Sequence, residues 1–429
     1  MDRDESREQP TSAAQRDGRP AAARPGGAPP DGDPRWRVTL GTMFVAQLLC
    51  MIGFSFVMPF VPFYIRVLGV DDPGMVAIWA GLLGTGAGLS MGIMSPVWGW
   101  VADRYGRKPM VQRAMFGGAV VLTLMAFARN VQELLALRII QGTITGTVAA
   151  SVALVSSVSP KARLGFSLGL MQTAVFGGGS IGPYIGGIVA DHFGYRVPFG
   201  VTGGLLFTGG LLVLFGVRER FVRPDPAQRA RSAPVRQVLR ARGLRMLLLV
   251  YCLMNLSASF AMPIFPLFVE QIVGTPDRAA TETGILLAVT GLASAFAAVM
   301  VGRFSDRLGY KTMLVTCTAI AGALCIPHAA AQSVWHLLAL RVLFGLGAGG
   351  MIPSMNALVA TFVPRRNIGQ AYGFAAAASA LGWATGPALG GVAASMLGYR
   401  IPFIVMGGLL LLVSLAQRRW LVVPPDQSA

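Results

Sequence analysis

Gly99-Trp-Val-Ala-Asp103-Arg104-Tyr-Gly106-Arg107-Lys108 sits between two long apolar stretches, and 203 residues later the chain reads Gly302-Arg-Phe-Ser-Asp306-Arg307-Leu-Gly309-Tyr310-Lys311. The same offset carries Leu134-Leu-Ala-Leu-Arg138 onto Leu337-Leu-Ala-Leu-Arg341, and Gly142 and Gly146 onto Gly345 and Gly349. At an offset of 204, Gly182-Pro183-Tyr-Ile-Gly186-Gly187 matches Gly386-Pro387-Ala-Leu-Gly390-Gly391. So do Gly194-Tyr195-Arg196-Val-Pro198-Phe199 with Gly398-Tyr399-Arg400-Ile-Pro402-Phe403, and Met58-Pro59 and Pro62 with Met262-Pro263 and Pro266. Chance does not hold one register over so many sites, so the chain is a duplication.

Around these motifs the sequence is a series of apolar runs, each closed by charges or turn residues. They are Val38–Ile65, Val76–Ala102, Val111–Ala128, Leu134–Val158, Leu164–Ala190, Val197–Gly216, Met246–Val269, Gly284–Phe304, Met313–Ala331, Val334–Val363, Ile368–Ala394 and Ile401–Ala416. A bilayer core takes about 20 helical residues to cross. Of the 429 residues 54% are apolar and only 13% charged, half the share of an ordinary soluble protein at about 25%. The expected fold is an all-α membrane protein of twelve transmembrane helices in two pseudo-symmetric six-helix bundles. The expected divisions are a disordered polar tail (1–37), one bundle (38–217), a basic linker (218–245), a second bundle (246–419) and a short tail (420–429). Both bundles begin on the same side of the membrane, which makes them parallel repeats. Such repeats build transporters with a site between the halves near mid-membrane.

The net charge of +17 first suggests a nucleic acid as partner. Its distribution excludes that reading. Twenty-nine of the 36 basic residues fall on the side of the tail, including Arg104, Arg107 and Lys108 and nine Arg in the linker. Five fall on the other side (Arg66, Arg129, Arg196, Arg278 and Arg400), and Arg138 and Arg341 lie inside apolar runs. Basic loops stay in the cytoplasm. The expectation is a multi-pass protein of the cell membrane with both termini cytoplasmic and the lipid bilayer, not nucleic acid, as its surroundings. Cys50, Cys252, Cys317 and Cys325 all lie in apolar runs and His192, His328 and His336 are scattered, so no metal site or disulfide framework is expected. Gly177-Gly-Gly-Ser lacks the Gly-Lys-Ser/Thr of a phosphate loop. Neither a catalytic constellation nor a cofactor is expected.

Gly99 to Lys108 resembles the loop 2–3 signature of the major facilitator superfamily, and fulfils it without departure. The second copy departs at Tyr310, where the pattern prefers a base. Arg138-Ile-Ile-Gln141-Gly142 resembles the family's fourth-helix motif. Gly178-x-x-x-Gly182-Pro183-x-x-Gly186-Gly187 resembles the fifth-helix motif of its drug:proton antiporters, with Gly386-Pro387 as a second copy. The resemblance implies a twelve-helix antiporter of the multidrug and tetracycline efflux branch, with a proton as coupling ion. It further implies that Asp103 faces the start of the eleventh helix, so that Gly99, Asp103, Arg104, Gly106, Arg107 and Lys108, with Gly302, Asp306, Arg307, Gly309 and Lys311, gate the change of state. Asp103 and Arg107 are spaced i, i+4, which suits a helix-end ion pair. The Gly-Pro motifs are read as a tight seal between the halves, and Gly84, Gly88 and Gly92 as a smooth face on the second helix.

An ionisable residue inside a span is costly and functional by default. Arg138 is therefore a candidate for proton relay. No Asp or Glu lies mid-span, so the other coupling candidates are Asp103, Glu133 and Glu270. Two buried cations without a buried acid favour a neutral or anionic amphiphile as substrate. The resemblance places the cavity between the first, fourth, seventh and tenth helices, giving Gln47, Phe54, Met58, Arg138, Gln141, Met254, Asn255, Phe260, Met355 and Asn356 as lining candidates. Methionine adapts to varied shapes, and a buried amide needs a partner. The expected activity is export of small amphiphiles or drugs by proton antiport, by a monomer. The alternative on the same fold is a symporter or uniporter importing a sugar or organic anion.

Overall fold

The computed structural model describes residues 35–160, 163–219, 242–275, 278–362 and 368–421. Residues 1–34 of the expected tail, most of the linker and the last eight residues lie outside these, whereas Trp36 and Arg37, expected in the tail, already belong to the first helix. In lipid every backbone group must be satisfied internally, which an apolar run achieves as a helix. All twelve apolar runs are helical within the described residues, and ten of these helical units are long and apolar enough to cross a membrane. The remaining two are Lys108–Met125, which is short and carries Lys108 and Arg113, and Ile368–Leu397, built largely of Ala, Gly and Ser.

We number the units as spans. Span 1 is Trp36–Val67, span 2 Pro73–Tyr105, span 3 Lys108–Met125, span 4 Val131–Val158, span 5 Leu164–Phe193 and span 6 Val197–Gly216. The second half has span 7 from Arg242 to Val273, span 8 Ala279–Leu308, span 9 Tyr310–Ala330, span 10 from Val334 to Phe362, span 11 Ile368–Leu397 and span 12 Ile401–Trp420.

Several of the long spans are interrupted where the sequence supplies a breaker. Span 1 passes through a 3₁₀ turn at Met58–Phe60, beside Pro59 and Pro62. Its counterpart, span 7, breaks between Phe260 and Phe265 around Pro263. Span 4 breaks at Thr145 and Gly146, where Gly146 has φ +127°, a conformation that costs other residues. In span 10 the corresponding Gly349 stays right-handed at φ −61°, and the helix breaks there too, between Ala348 and Met351. Continuous helix over Leu134–Val158 is therefore corrected to two helices.

The Gly-Pro motifs do two jobs, and the expectation that they seal the halves holds for part of each motif. A side chain on Gly178, Gly182 or Gly186 would run into Leu48, Ile52, Ser55 and the Phe56 carbonyl of span 1, inside the same half. Gly382, Gly386 and Gly390 meet Cys252, Leu256, Ser259 and the Phe260 carbonyl of span 7 at positions 204 residues on. Of the motif glycines, Gly187, against Ala280 of span 8, and Gly391, against Ala77 of span 2, face the other half, as do Pro183 against Gly284 and Pro387 against Gly81. One helix carries both surfaces because adjacent residues point about 100° apart.

Candidate functional site

The two halves meet along span 2 with span 11 and span 5 with span 8. Glycines on span 2 measure how that contact changes along its length. A Cβ on Gly81 would lie 2.5 Å from the Pro387 carbonyl oxygen, and one on Gly84 or Gly88 would lie 2.9 Å from Pro387 or Ala384. On Gly92 the nearest atom, of Ala380, is 3.9 Å away, and on Gly99 nothing is within 4 Å. The halves are therefore locked at the end carrying Arg66 and splay toward the end carrying the Asp103 loop.

Polar contacts across the halves gather at the locked end. The Arg66 guanidinium donates to Glu270 Oε1 and Oε2 at 2.7 and 2.6 Å. These two residues occupy equivalent positions of the repeat, 204 apart, so opposite charges meet across the pseudo-two-fold axis. Tyr399 lies beside Arg66 and donates to the Pro73 carbonyl at 3.2 Å. Burial pushes the Tyr399 phenol up, although Arg66 pulls the other way, so it stays neutral through physiological pH. Asp191 at the end of span 5 accepts from the Thr281 backbone N–H and hydroxyl at 2.8 and 2.6 Å, capping the start of span 8 in the other half. Deeper in, Thr85 Oγ1 accepts from the Ala388 N–H at 3.1 Å, next to the break that Pro387 makes.

Below the lock, each half presents a different chemistry. In the first, Arg138 is 7% exposed and donates to Gln141 Oε1 at 2.8 Å. Gln47 is fully buried with both amide atoms unpaired, and Ser151 on span 4 is in the same state. In the second, Gln47's counterpart is Tyr251, whose hydroxyl donates to Asn356 Oδ1 at 2.7 Å. Asn255 donates to Ser379 Oγ at 3.2 Å and to the Tyr251 carbonyl at 2.8 Å, and Tyr372 donates to the Asn356 carbonyl at 2.8 Å. Arg341 has an aromatic setting instead, 3.6 Å from the Phe265 ring centroid and 5.8 Å from that of Phe344.

Several lining candidates move to other places. Met254 and Met355 are core side chains of the second half, 3% and 2% exposed, and Met254 Sδ accepts from Gln417 Nε2 of span 12 at 3.4 Å. Phe260 is buried where span 11 crosses span 7. Phe54, Met58 and Asn255 are half-buried, and Asn356 is exposed. Glu133 caps the start of span 4, accepting from the Arg129 N–H at 2.9 Å while Asn130 accepts from the Glu133 N–H at 2.8 Å. Arg138 and Arg341 are joined as cations within helical spans by Arg113, which lies 3.6 Å over the Trp98 ring.

At the splayed end the side chains of Asp103, Asp306 and Arg307, and Gly302 beyond its helical backbone, lie outside the described residues, so the expected Asp103–Arg107 pair does too. Around them, Gly106 and Gly309 close spans 2 and 8 at φ +101° and +79°, and Lys311 sits in the first turn of span 9. The loop has an anchor that the sequence did not announce. Glu219 accepts from the backbone N–H of Arg107 at 2.9 Å and of Lys108 at 2.8 Å, and Lys108 Nζ donates to the Leu214 carbonyl at 2.8 Å. A carboxylate at a helix start meets the free N–H groups and the positive end of the dipole.

This geometry, two six-span halves packed through small residues and open at one end, has a match in sequence. The model of the major facilitator superfamily fits residues 43–276 and again 247–429. The chain belongs to the major facilitator superfamily. Multidrug resistance protein MdtG of Salmonella paratyphi A is 31% identical over 388 residues, covering 90% of this chain and 95% of that protein. A bacterial homologue of the human lysosomal transporter Spinster, solved in an inward-facing, unoccupied conformation, superposes with a TM-score of 0.74 at 16% identity, over 91% of this chain and 98% of that one. The human organic anion transporter MFSD10 superposes with a TM-score of 0.66 at 18% identity, over 90% and 100%.

As a superfamily member the chain is a multi-pass integral membrane transporter. Sequence reasoning missed Arg66 as a partner of Glu270, Tyr251 and Tyr372 as a cluster with Asn356, and Glu219 as the anchor of the superfamily's loop motif. The first had a signal, since a basic and an acidic residue at equivalent positions of a repeat are brought face to face by its symmetry axis. Tyr251 also had one, as the counterpart of Gln47. Glu219 had none beyond being an acid in an Arg-rich linker.

Proposed function

We propose that this transporter exports small amphiphilic molecules, drugs among them, across the cytoplasmic membrane by proton antiport, working as a monomer. Its halves rock about the contact between spans 2 and 11 and spans 5 and 8. The carrying observation is the one-ended interface, tight around Arg66–Glu270 and open below Gly92. The likeness to MdtG supports export of drugs. The excess of basic residues at the splayed end supports a cytoplasmic position for that end and both termini. The open cavity then faces the side from which an exporter loads.

The chemistry of the halves favours neutral or anionic substrates. Arg138 and Arg341 disfavour a second cation nearby, whereas Gln141, Asn255, Asn356, Tyr251 and Tyr372 offer neutral donors and acceptors. Of the coupling candidates, Glu270 is favoured over Glu133 and Arg138, because it pairs across the halves while those are held within one. Protonating Glu270 removes one charge of the lock. Asp103 remains the candidate at the opposite gate. A proton moving down a potential of 100 mV carries about 2.3 kcal/mol, enough for a useful substrate gradient.

The test is flux in proteoliposomes with an imposed pH gradient. Uphill transport of a neutral or anionic amphiphile is expected, abolished by collapsing the gradient. Glu270→Gln is expected to keep downhill flux and lose uphill flux, and Asp103→Asn to lower both. Flux indifferent to the gradient overturns antiport. The absence of a mid-span carboxylate among the described residues favours a second reading, facilitated or symport uptake of a sugar or organic anion, which the same assay separates by the direction in which a pH gradient drives the solute.

A further inference from the structure

At the splayed end, spans 1 and 5 start side by side and leave a groove of about 350 Å³, lined by Trp36, Arg37, Leu40, Arg163, Phe166 and Leu170. Its upper rim is positive. Arg37 and Arg163 are exposed there, and among the described residues neither helix start carries a side-chain cap, so two positive dipole ends add to the two guanidinium groups. Its lower part is apolar. Leu40 is buried, Leu170 half-buried, and Phe166 is 61% exposed. Gly41 completes the wall, and a Cβ there would meet nothing within 4 Å. Trp36 carries the Arg37 guanidinium 5.6 Å from its ring centroid, the setting of an aromatic residue at a membrane–water boundary.

An anion-binding rim over an apolar slot, at the level where the basic loops meet the bilayer, fits one kind of molecule. We propose that this groove holds an anionic phospholipid of the leaflet facing the basic loops. The phosphate lies between Arg37 and Arg163, and an acyl chain runs along Leu40 and Leu170 toward Phe166. Guanidinium groups suit this role because their forked N–H groups match phosphate oxygens. The lipid would bridge the starts of the two helices that pack through Gly178, Gly182 and Gly186. The site is separate from the transport cavity, and the proposal does not depend on proton antiport.

The experiment is native mass spectrometry of the full chain extracted from vesicles of equal parts phosphatidylglycerol and phosphatidylcholine. One phosphatidylglycerol is expected to stay bound in preference to phosphatidylcholine. The double variant Arg37→Gln/Arg163→Gln should lower that retention about tenfold, as expected for losing charge-assisted hydrogen bonds. Arg37→Lys/Arg163→Lys should keep most of it, which separates loss of charge from loss of fold. Phe166→Ser should weaken retention of long-chain lipid more than of short-chain lipid. Unchanged retention in the Gln pair overturns the site. Displacement by an equal amount of glycerol phosphate shows a headgroup site without a lipid slot and overturns the lipid. Retention that rises on removing residues 1–34 makes the polar tail the occupant, and overturns the proposal equally.

Discussion

The two halves share a backbone plan and diverge in their polar chemistry. Span 5 packs on span 1 through Gly178, Gly182 and Gly186, and span 11 packs on span 7 through Gly382, Gly386 and Gly390, residue for residue 204 apart. At the same depth the first half holds Arg138 with Gln141, whereas the second holds Arg341 between Phe265 and Phe344. Gln47 faces no partner where Tyr251 holds Asn356. Arg66 stands where the other half has Glu270. The repeated part is the part that must fit a neighbouring backbone. The divergent part is the polar side chains, which find different partners in each half, and at Arg66 and Glu270 two identical side chains would bring like charges together.

The strongest way to break this comparison is to crowd one half at a time. Gly186→Val and Gly390→Val each drive a branched side chain into a carbonyl, and overpacking of that kind costs about 1–3 kcal/mol or more. Thermal unfolding in detergent should fall by similar amounts for both. Tolerance of one and not the other would show that the packing symmetry is only apparent. Next in size, Arg138→Met leaves the buried Gln141 oxygen without its donor, at about 1–3 kcal/mol, and should lower flux as well as stability. Arg341→Met loses an aromatic stack worth about 0.5–2 kcal/mol and should lower stability while flux per folded molecule is kept. Equal loss of flux in both would erase the functional difference between the halves.

The lock offers a sharper contrast. Glu270→Gln should raise the population open at the Arg66 end about fivefold to tenfold, a shift of about 1–1.4 kcal/mol, read as a lengthened pulsed-EPR distance between labels at Val70 and Thr275. Because the two positions are equivalent, Arg66→Glu/Glu270→Arg should restore the short distance. A swapped pair that stays open would show that Tyr399, beside Arg66, ties the lock to one polarity. The smallest effect is expected at Glu219, which has no counterpart in the second half. Glu219→Ala removes a helix-start anchor worth about 1 kcal/mol and should speed amide exchange at Arg107 and Lys108 without altering Gly309 to Lys311.

The register of 203 to 204 residues, the apolar runs and the charge on each side are properties of single stretches, so the sequence by itself determined the two-half helical architecture and the family. It also marked Glu270 and Arg138 as unusual, since a charge beside or within an apolar run is visible in one dimension. What only the tertiary structure decided is direction and pairing. Neighbouring residues on a helix point about 100° apart, so a motif of small residues could not say that Gly186 fits its own half while Gly187 fits the other. The same rotation turned Met254 and Met355 into the core. Arg66 met Glu270 and Glu219 met Lys108 because folding brought together positions 204 and 111 residues apart, a distance over which sequence alone carries no hydrogen-bond geometry.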